Sequence, residues 1–192
     1  MKKLLITGFD PFGDSTINPS WEAVKQLPDT IGDFELCKLE IPTVFEKGAQ
    51  IALDAAAQFQ PDVVLCIGQA GGRSAVTPER IAVNIRDARI ADNAGNQPKG
   101  DRILSDGPAA YFTTVPVAQM TEAILAAGIP ANVSNSAGTF VCNDVLYRLL
   151  HHFHGTGVLV GFVHVPYLPD QGTPCLPLTD IVSALISAIS VC

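Results

Sequence analysis

The chain has no excess of positive charge, no long apolar run and no paired cysteine spacing. Lys and Arg number 12 against 19 Asp and Glu, a net charge of −7. A protein that grips a phosphate backbone needs the opposite balance, so nucleic acid is not expected as a partner. No apolar run approaches the ~20 residues that cross a bilayer, so no membrane partner is expected either. The opening, Met1-Lys2-Lys3-Leu4-Leu5-Ile6-Thr7-Gly8, is too short in its apolar part for a secretory leader, and Asp10 and Asp14 follow at once; it reads as a first strand. Five cysteines, Cys37, Cys66, Cys142, Cys175 and Cys192, are an odd number without CxxC spacing. That argues against a disulfide framework or zinc site and for reduced thiols in the cytoplasm. No GxGxxG or P-loop pattern is present, which weakens any phosphate-cradling reading of Gly71-Gly72. Repeats, low-complexity tracts and Gly/Pro-rich linkers are missing too, so residues 1–192 read as a single domain.

What is present is alternation. Lys3–Gly8, Phe34–Ile41, Val63–Gly68 and Gly157–His164 read as strands, the last two apolar throughout, as suits strands covered on both faces. Asn18-Pro19 opens a helix with Trp21, Val24 and Leu27 inward. Thr43-Val44-Phe45-Glu46 has capping-box spacing for a helix to about Phe59. Further helices are expected from Pro116 to Gly128, from Val141 to His152 and from Leu178 to Val191, with a short strand at Pro130–Ser134. Ile81, Val83 and Ile85 alternate with Arg80, Asn84 and Arg86, which predicts an apolar inner face. Ala88–Pro98 is polar and aperiodic, a loop over a site or a surface excursion. The expected fold is α/β, a three-layer α/β/α sandwich around a mixed, mostly parallel sheet.

The chemistry centres on the run Ser134-Asn135-Ser136-Ala137-Gly138-Thr139-Phe140-Val141-Cys142-Asn143. Ser136, Gly138 and Thr139 supply turn and cap residues, and Cys142 falls in the first helical turn, where N–H groups and the helix dipole favour a thiolate. Position alone does not separate a nucleophile from a small buried hydrophobe. A nucleophilic cysteine needs a base, and the base an orienting acid. Of the four histidines, His151, His152 and His154 lie roughly 14 Å along the helix from Cys142. His164 ends an apolar strand and is the base candidate, with a structural histidine as the alternative. Spacing does not choose the acid among Asp10, Asp14, Glu79, Asp87, Asp92 and Asp144. Phe9 and Phe12 sit in the first strand-to-helix loop, where sites gather in α/β proteins.

Several long motifs resemble those of one family. They are Gly8-Phe9-Asp10-Pro11-Phe12-Gly13 with Asn18-Pro19-Ser20-Trp21, Gly68-Gln69-Ala70-Gly71-Gly72-Arg73 with Thr77-Pro78-Glu79-Arg80-Ile81-Ala82-Val83-Asn84, and Asp87-Ala88-Arg89-Ile90. Ser134–Asn143 and Gly161-Phe162-Val163-His164-Val165-Pro166-Tyr167-Leu168-Pro169 complete the set, which covers nearly the whole chain in order. The family they resemble is pyroglutamyl peptidase I, also called pyrrolidone-carboxylate peptidase. The resemblance implies a cysteine exopeptidase that removes N-terminal pyroglutamate through a thioester, with Cys142 as nucleophile, His164 as base and Glu79 orienting it. It implies a substrate pocket of Phe9, Phe12, Gln69, Arg89, Ile90, Phe140 and Val141, with Arg89 near the oxyanion. It also implies an α/β/α sandwich, no metal or organic cofactor, a cytoplasmic location and a homotetramer. Ser136, Phe140 and Ala91 stand where Thr, Tyr and Pro are common, and Lys99-Gly100-Asp101 matches poorly. Two competing readings are a binder of the pyroglutamyl group with an idle triad and, by fold analogy, a nucleoside phosphorylase.

Overall fold

The computed structural model describes residues 1–192. In chain order the elements are β1 (Lys2–Phe9), α1 (Pro19–Gln26), β2 (Thr30–Ile31), β3 (Phe34–Ile41), α2 (Lys47–Phe59), β4 (Val63–Gln69), β5 (Thr77–Pro78) and β6 (Ile81–Val83). β7 (Arg86–Asp87), β8 (Lys99–Asp101), β9 (Ala110–Phe112), α3 (Val117–Ala126), α4 (Val141–His152), β10 (Leu159–Val165) and α5 (Leu178–Ile189) follow. Six strands form the central sheet in the order β2-β3-β1-β4-β10-β5. The four long strands β3, β1, β4 and β10 run parallel, and the short β2 and β5 are antiparallel at the edges. β6–β9 and β7–β8 are separate two-stranded ribbons.

Strand side chains alternate between faces, so parity assigns each residue to a layer. Leu4, Ile6, Val63, Leu65, Ile67, Val163 and Val165 pack with α1, α3 and α5 in one buried cluster. Leu5, Phe9, Val64, Cys66, Val160 and Phe162 pack with α2 and α4 in another. This is the α/β/α sandwich expected from the apolar runs. His164 has the parity of Val160 and Phe162 and so faces the α2/α4 layer.

Three local expectations meet a different outcome, and a fourth, left between two alternatives, is decided. The residue before α2 is Glu46 at φ +64°, with no side-chain cap; Thr43 is instead buried against the first loop, its N–H donating to Asp10 Oδ1 at 2.6 Å. In the β6 region the inward residues are Ala82 and Asn84, while Ile81, Val83 and Ile85 are half-buried. The segment is tied to α4 through its backbone. Asn143 accepts from the Val83 N–H at 3.0 Å and donates to the Val83 and Ile85 carbonyls at 2.9 and 3.0 Å. Residues 130–134 form two isolated bridges, Val76–Ala131 and Glu79–Ser134, in place of a strand. The Ala88–Pro98 segment is the excursion between β7 and β8, pinned by Asp92. That buried carboxylate accepts from the N–H groups of Phe45, Ala94 and Asn96 at 2.9, 2.9 and 2.8 Å.

Candidate active site

Cys142 is the second residue of α4. The preceding Phe140 is extended at φ −91°, ψ −165°, and no side chain caps the helix. The expected cap residues do other work. Ser136 Oγ accepts from the Gly138 N–H at 3.2 Å, and Thr139 Oγ1 donates to the Asp87 carbonyl at 2.8 Å. The N–H groups of Val141 and Cys142 therefore begin the helix without an internal backbone acceptor.

Sheet register brings the thiol to His164. Gly68 pairs directly with His164 across β4 and β10. A Cβ built on Gly68 would lie 3.0 Å from Cys142 Sγ and 2.6 Å from the Phe162 ring. The sulfur thus occupies the space a side chain at position 68 would take, on the face that His164 also uses, one strand spacing (~4.8 Å) away. Glycine is required here to make that room.

Behind His164 stands Glu79, fully buried against a histidine that is 4 % exposed. Glu79 follows the edge strand β5. Its N–H donates to the Phe162 carbonyl at 2.8 Å, and its own carbonyl accepts from Thr113 Oγ1 at 2.9 Å. Oε1 lies 2.7 Å from His164 Nδ1. Burial pushes the Glu79 carboxyl up, yet the bond and charge from His164, with Ser134 and Arg73 beside it, outweigh burial and hold it below its ordinary value. An ionised carboxylate only accepts, so the ring proton sits on Nδ1 and Nε2 is left as a bare acceptor. Burial lowers the His164 pKa, opposed by Glu79 and assisted by Arg73. Burial likewise pushes the Cys142 thiol up to about 12, with Glu79 and Cys66 adding to the rise and Arg73 and the residue's own N–H opposing it. Burial thus works against the thiolate that the helix start favours, and it holds the imidazole toward its neutral form.

Arg73 is the residue sequence reasoning passed over. Its Nη1 binds Thr77 Oγ1 and, at 2.6 Å, Glu79 Oε1; its Nη2 donates to the Ser136 carbonyl at 3.0 Å. One guanidinium thus joins the acid to the cysteine loop. The available signal was electrostatic: an acid buried beside a strand needs a cation, and Arg73 lies six residues before it. The other acids are fasteners. Asp10 accepts from the Thr43 N–H and from Asn93 Nδ2 at 3.2 Å, and Asp144 accepts from the Glu46 N–H at 2.9 Å and pairs with Arg148 at 3.1 Å.

These groups open on a cavity of about 580 Å³ whose wall includes Phe9, Phe12, Gln69, Arg89, Phe140, Cys142 and His164. Phe140 packs on Phe12 and Phe45, with ring centroids 6.1 and 5.4 Å apart. Two expected wall residues lie elsewhere. Val141 is fully buried in the α2/α4 core, because the first helical turn aims it inward, and Ile90 is 42 % exposed on the pinned excursion. Asn18, Thr43, Arg73 and Ser136 complete the polar part of the wall, which contains no carboxylate. The histidines at the far end of α4 are remote from this cavity: His151 meets the Tyr111 hydroxyl at 2.9 Å, and His154 packs against the same ring at a tilt of 48°. No group of three His, Cys, Asp or Glu side chains has metal-binding geometry.

The family model for pyroglutamyl peptidase matches residues 2–192. The chain belongs to the pyroglutamyl peptidase family. Among its relatives, the pyrrolidone-carboxylate peptidase of Staphylococcus haemolyticus is 53 % identical, over 97 % of this chain and 92 % of that protein. That of Lactobacillus johnsonii is 50 % identical over 98 % and 91 %. The solved structure of Bacillus amyloliquefaciens pyroglutamyl peptidase I superposes with a TM-score of 0.97 at 47 % identity, covering 100 % of this chain and 96 % of that one. The Thermococcus litoralis pyrrolidone carboxyl peptidase gives 0.95 at 38 % identity, covering 100 % and 93 %. Membership makes the chain a cysteine-type peptidase. No helix is long and apolar enough to cross a membrane.

Proposed function

We propose that this peptidase removes N-terminal pyroglutamate from peptides by acyl transfer through Cys142. The observation that carries the reading is the cavity wall: phenylalanines, amides, two arginines, a thiol and an imidazole, with no carboxylate. An ordinary N-terminus is an ammonium ion and would find two arginines and no counter-charge in that wall. A pyroglutamyl N-terminus is a neutral lactam, which such a wall accepts.

Cys142 Sγ attacks the pyroglutamyl carbonyl as His164 Nε2 takes the thiol proton, with Glu79 holding the ring and balancing the imidazolium that forms. The N–H groups of Val141 and Cys142, with Arg89, meet the developing oxyanion. His164 then protonates the departing amine. A thioester to Cys142 remains, and water activated by His164 hydrolyses it to free pyroglutamate and thiol. No metal or organic cofactor enters these steps. Burial, which raises the thiol pKa and lowers that of the imidazole, favours general-base attack over attack by a preformed thiolate.

The assay is release of amine from a pyroglutamyl-anilide. Turnover in the wild type and its loss in Cys142→Ser, by about 10³-fold or more, is the expected result; equal turnover in the variant rejects the nucleophile. The pH profile follows from the shifts. Protonating His164 removes the base, so kcat/KM falls on the acid side, below pH 6.5 because that pKa is lowered. With the thiol raised to about 12, no alkaline fall is expected between pH 7 and 9. The proposal extends, on family grounds, to a cytoplasmic homotetramer; a chain that sediments as a monomer at assay concentration would contradict that assembly.

A further inference from the structure

Gln69 lies in the cavity wall at the end of β4, one residue past Gly68. Its amide has a donor end and an acceptor end, and the two would select opposite groups on a ligand. Gln171, in the loop between β10 and α5, fixes the choice. Gln171 Oε1 accepts from the Leu168 N–H at 3.0 Å, and its Nε2 donates to the Ile17 carbonyl at 3.3 Å. Both partners are backbone groups, whose donor and acceptor identities covalent structure decides. The orientation of the Gln171 amide follows from them. The same Nε2 donates to Gln69 Oε1 at 3.0 Å. The oxygen of Gln69 is thereby engaged, and its NH₂ group is left without a protein partner.

We propose that Gln171 is a positioning residue: it makes Gln69 an obligate hydrogen-bond donor to the cavity and thereby selects a ligand ring that carries a carbonyl. The inference rests on the pyroglutamyl reading, in which that carbonyl is the lactam oxygen. A ring with methylene at the same place, such as proline, leaves the NH₂ unpaired and is rejected. Gln171 itself touches no substrate. Its loop supports the role: the Gln171 N–H returns to the Leu168 carbonyl at 2.9 Å, so backbone and side chain close a two-way clasp on residue 168.

The test is a double-mutant cycle on the full chain with a pyroglutamyl-anilide. Gln171→Glu keeps the acceptor for Leu168 but removes the donor, so Gln69 must turn its NH₂ to the new carboxylate and present its oxygen to the lactam. The expected result is a KM raised about tenfold with kcat within about twofold. In a Gln69→Ala background the same change should add less than about twofold, because the group it acts through is gone. Gln171→Met, uncharged and without a donor, should raise KM by about threefold and show the same dependence on Gln69. Melting temperatures identify a variant that has lost its fold, and Gln171→Met then stands for the cycle. Equal penalties with and without Gln69, or a fall in kcat at unchanged KM, would overturn the positioning role. A wild type that turns over no pyroglutamyl substrate overturns the functional reading, and this inference falls with it. Wild-type turnover with additive variants overturns the inference alone.

Discussion

The two faces of the central sheet are made by the same four long strands, both pack apolar cores, and only one buries titratable side chains. The face under α1, α3 and α5 holds 25 buried apolar residues, and the buried polar side chains of its helices, Ser20 in α1 and Thr121 in α3, are hydroxyls that do not titrate. The face under α2 and α4 holds Thr7, Cys66, Asn143, Asp144 and His164, all buried, with Cys142 at its edge. One-residue alternation is what keeps them apart: Val163 and Val165 serve the first face, and His164 between them serves the second. The lesson is a division of labour. Both faces pack apolar cores, and only the second buries groups whose proton affinities shift.

Three experiments break or sharpen that contrast. The largest effect belongs to the reactive face. His164→Ala should lower kcat/KM by about 10³-fold while the thermal transition moves by only a few degrees; a residual rate above a tenth of wild type would remove the base assignment. Next comes the packing face. Leu185 in α5 is fully buried in the apolar cluster. Leu185→Ala should cost about 3 kcal/mol of stability, read by denaturant unfolding, with kcat of the folded enzyme within about twofold. A large loss of kcat would show that the faces are coupled. The smallest effect is the most diagnostic. Arg73 helps to lower the His164 pKa, so Arg73→Met should let that pKa rise and move the acid limb of kcat/KM to higher pH, with a loss of about tenfold at neutrality. An acid limb that stays in place would detach Arg73 from the triad.

The layers were legible because burial on both faces leaves an unmistakable trace: continuous apolar runs at Val63–Gly68 and Val158–Val163. The α1 cap was legible as well, with Asn18 Oδ1 accepting from the Ser20 N–H at 3.1 Å. Position made the cysteine and histidine candidates without deciding their roles, but it did not choose their acid, since Glu79 reaches His164 across 85 residues through sheet pairing that no local pattern encodes. The resemblance named Glu79, and the geometry puts it at the imidazole. Local reading failed where tertiary bonds took over the backbone. Thr43 has the spacing of a cap but is captured by Asp10. Ile81, Val83 and Ile85 alternate, yet Asn143 holds their segment by its main chain and leaves them half-buried. Arg73 and Gln171 were invisible for the same reason: each acts on a group distant in sequence.

The account stands on a covalent link between substrate and residue 142. Rapid acid quench of the enzyme with a pyroglutamyl ester, followed by peptide mass analysis, tests it directly. One pyroglutamyl group on the peptide containing Cys142, absent after prior alkylation and long-lived in His164→Ala if it forms there at all, is the expected result. Steady turnover with an unmodified Cys142 peptide, or the label on another residue, would contradict it.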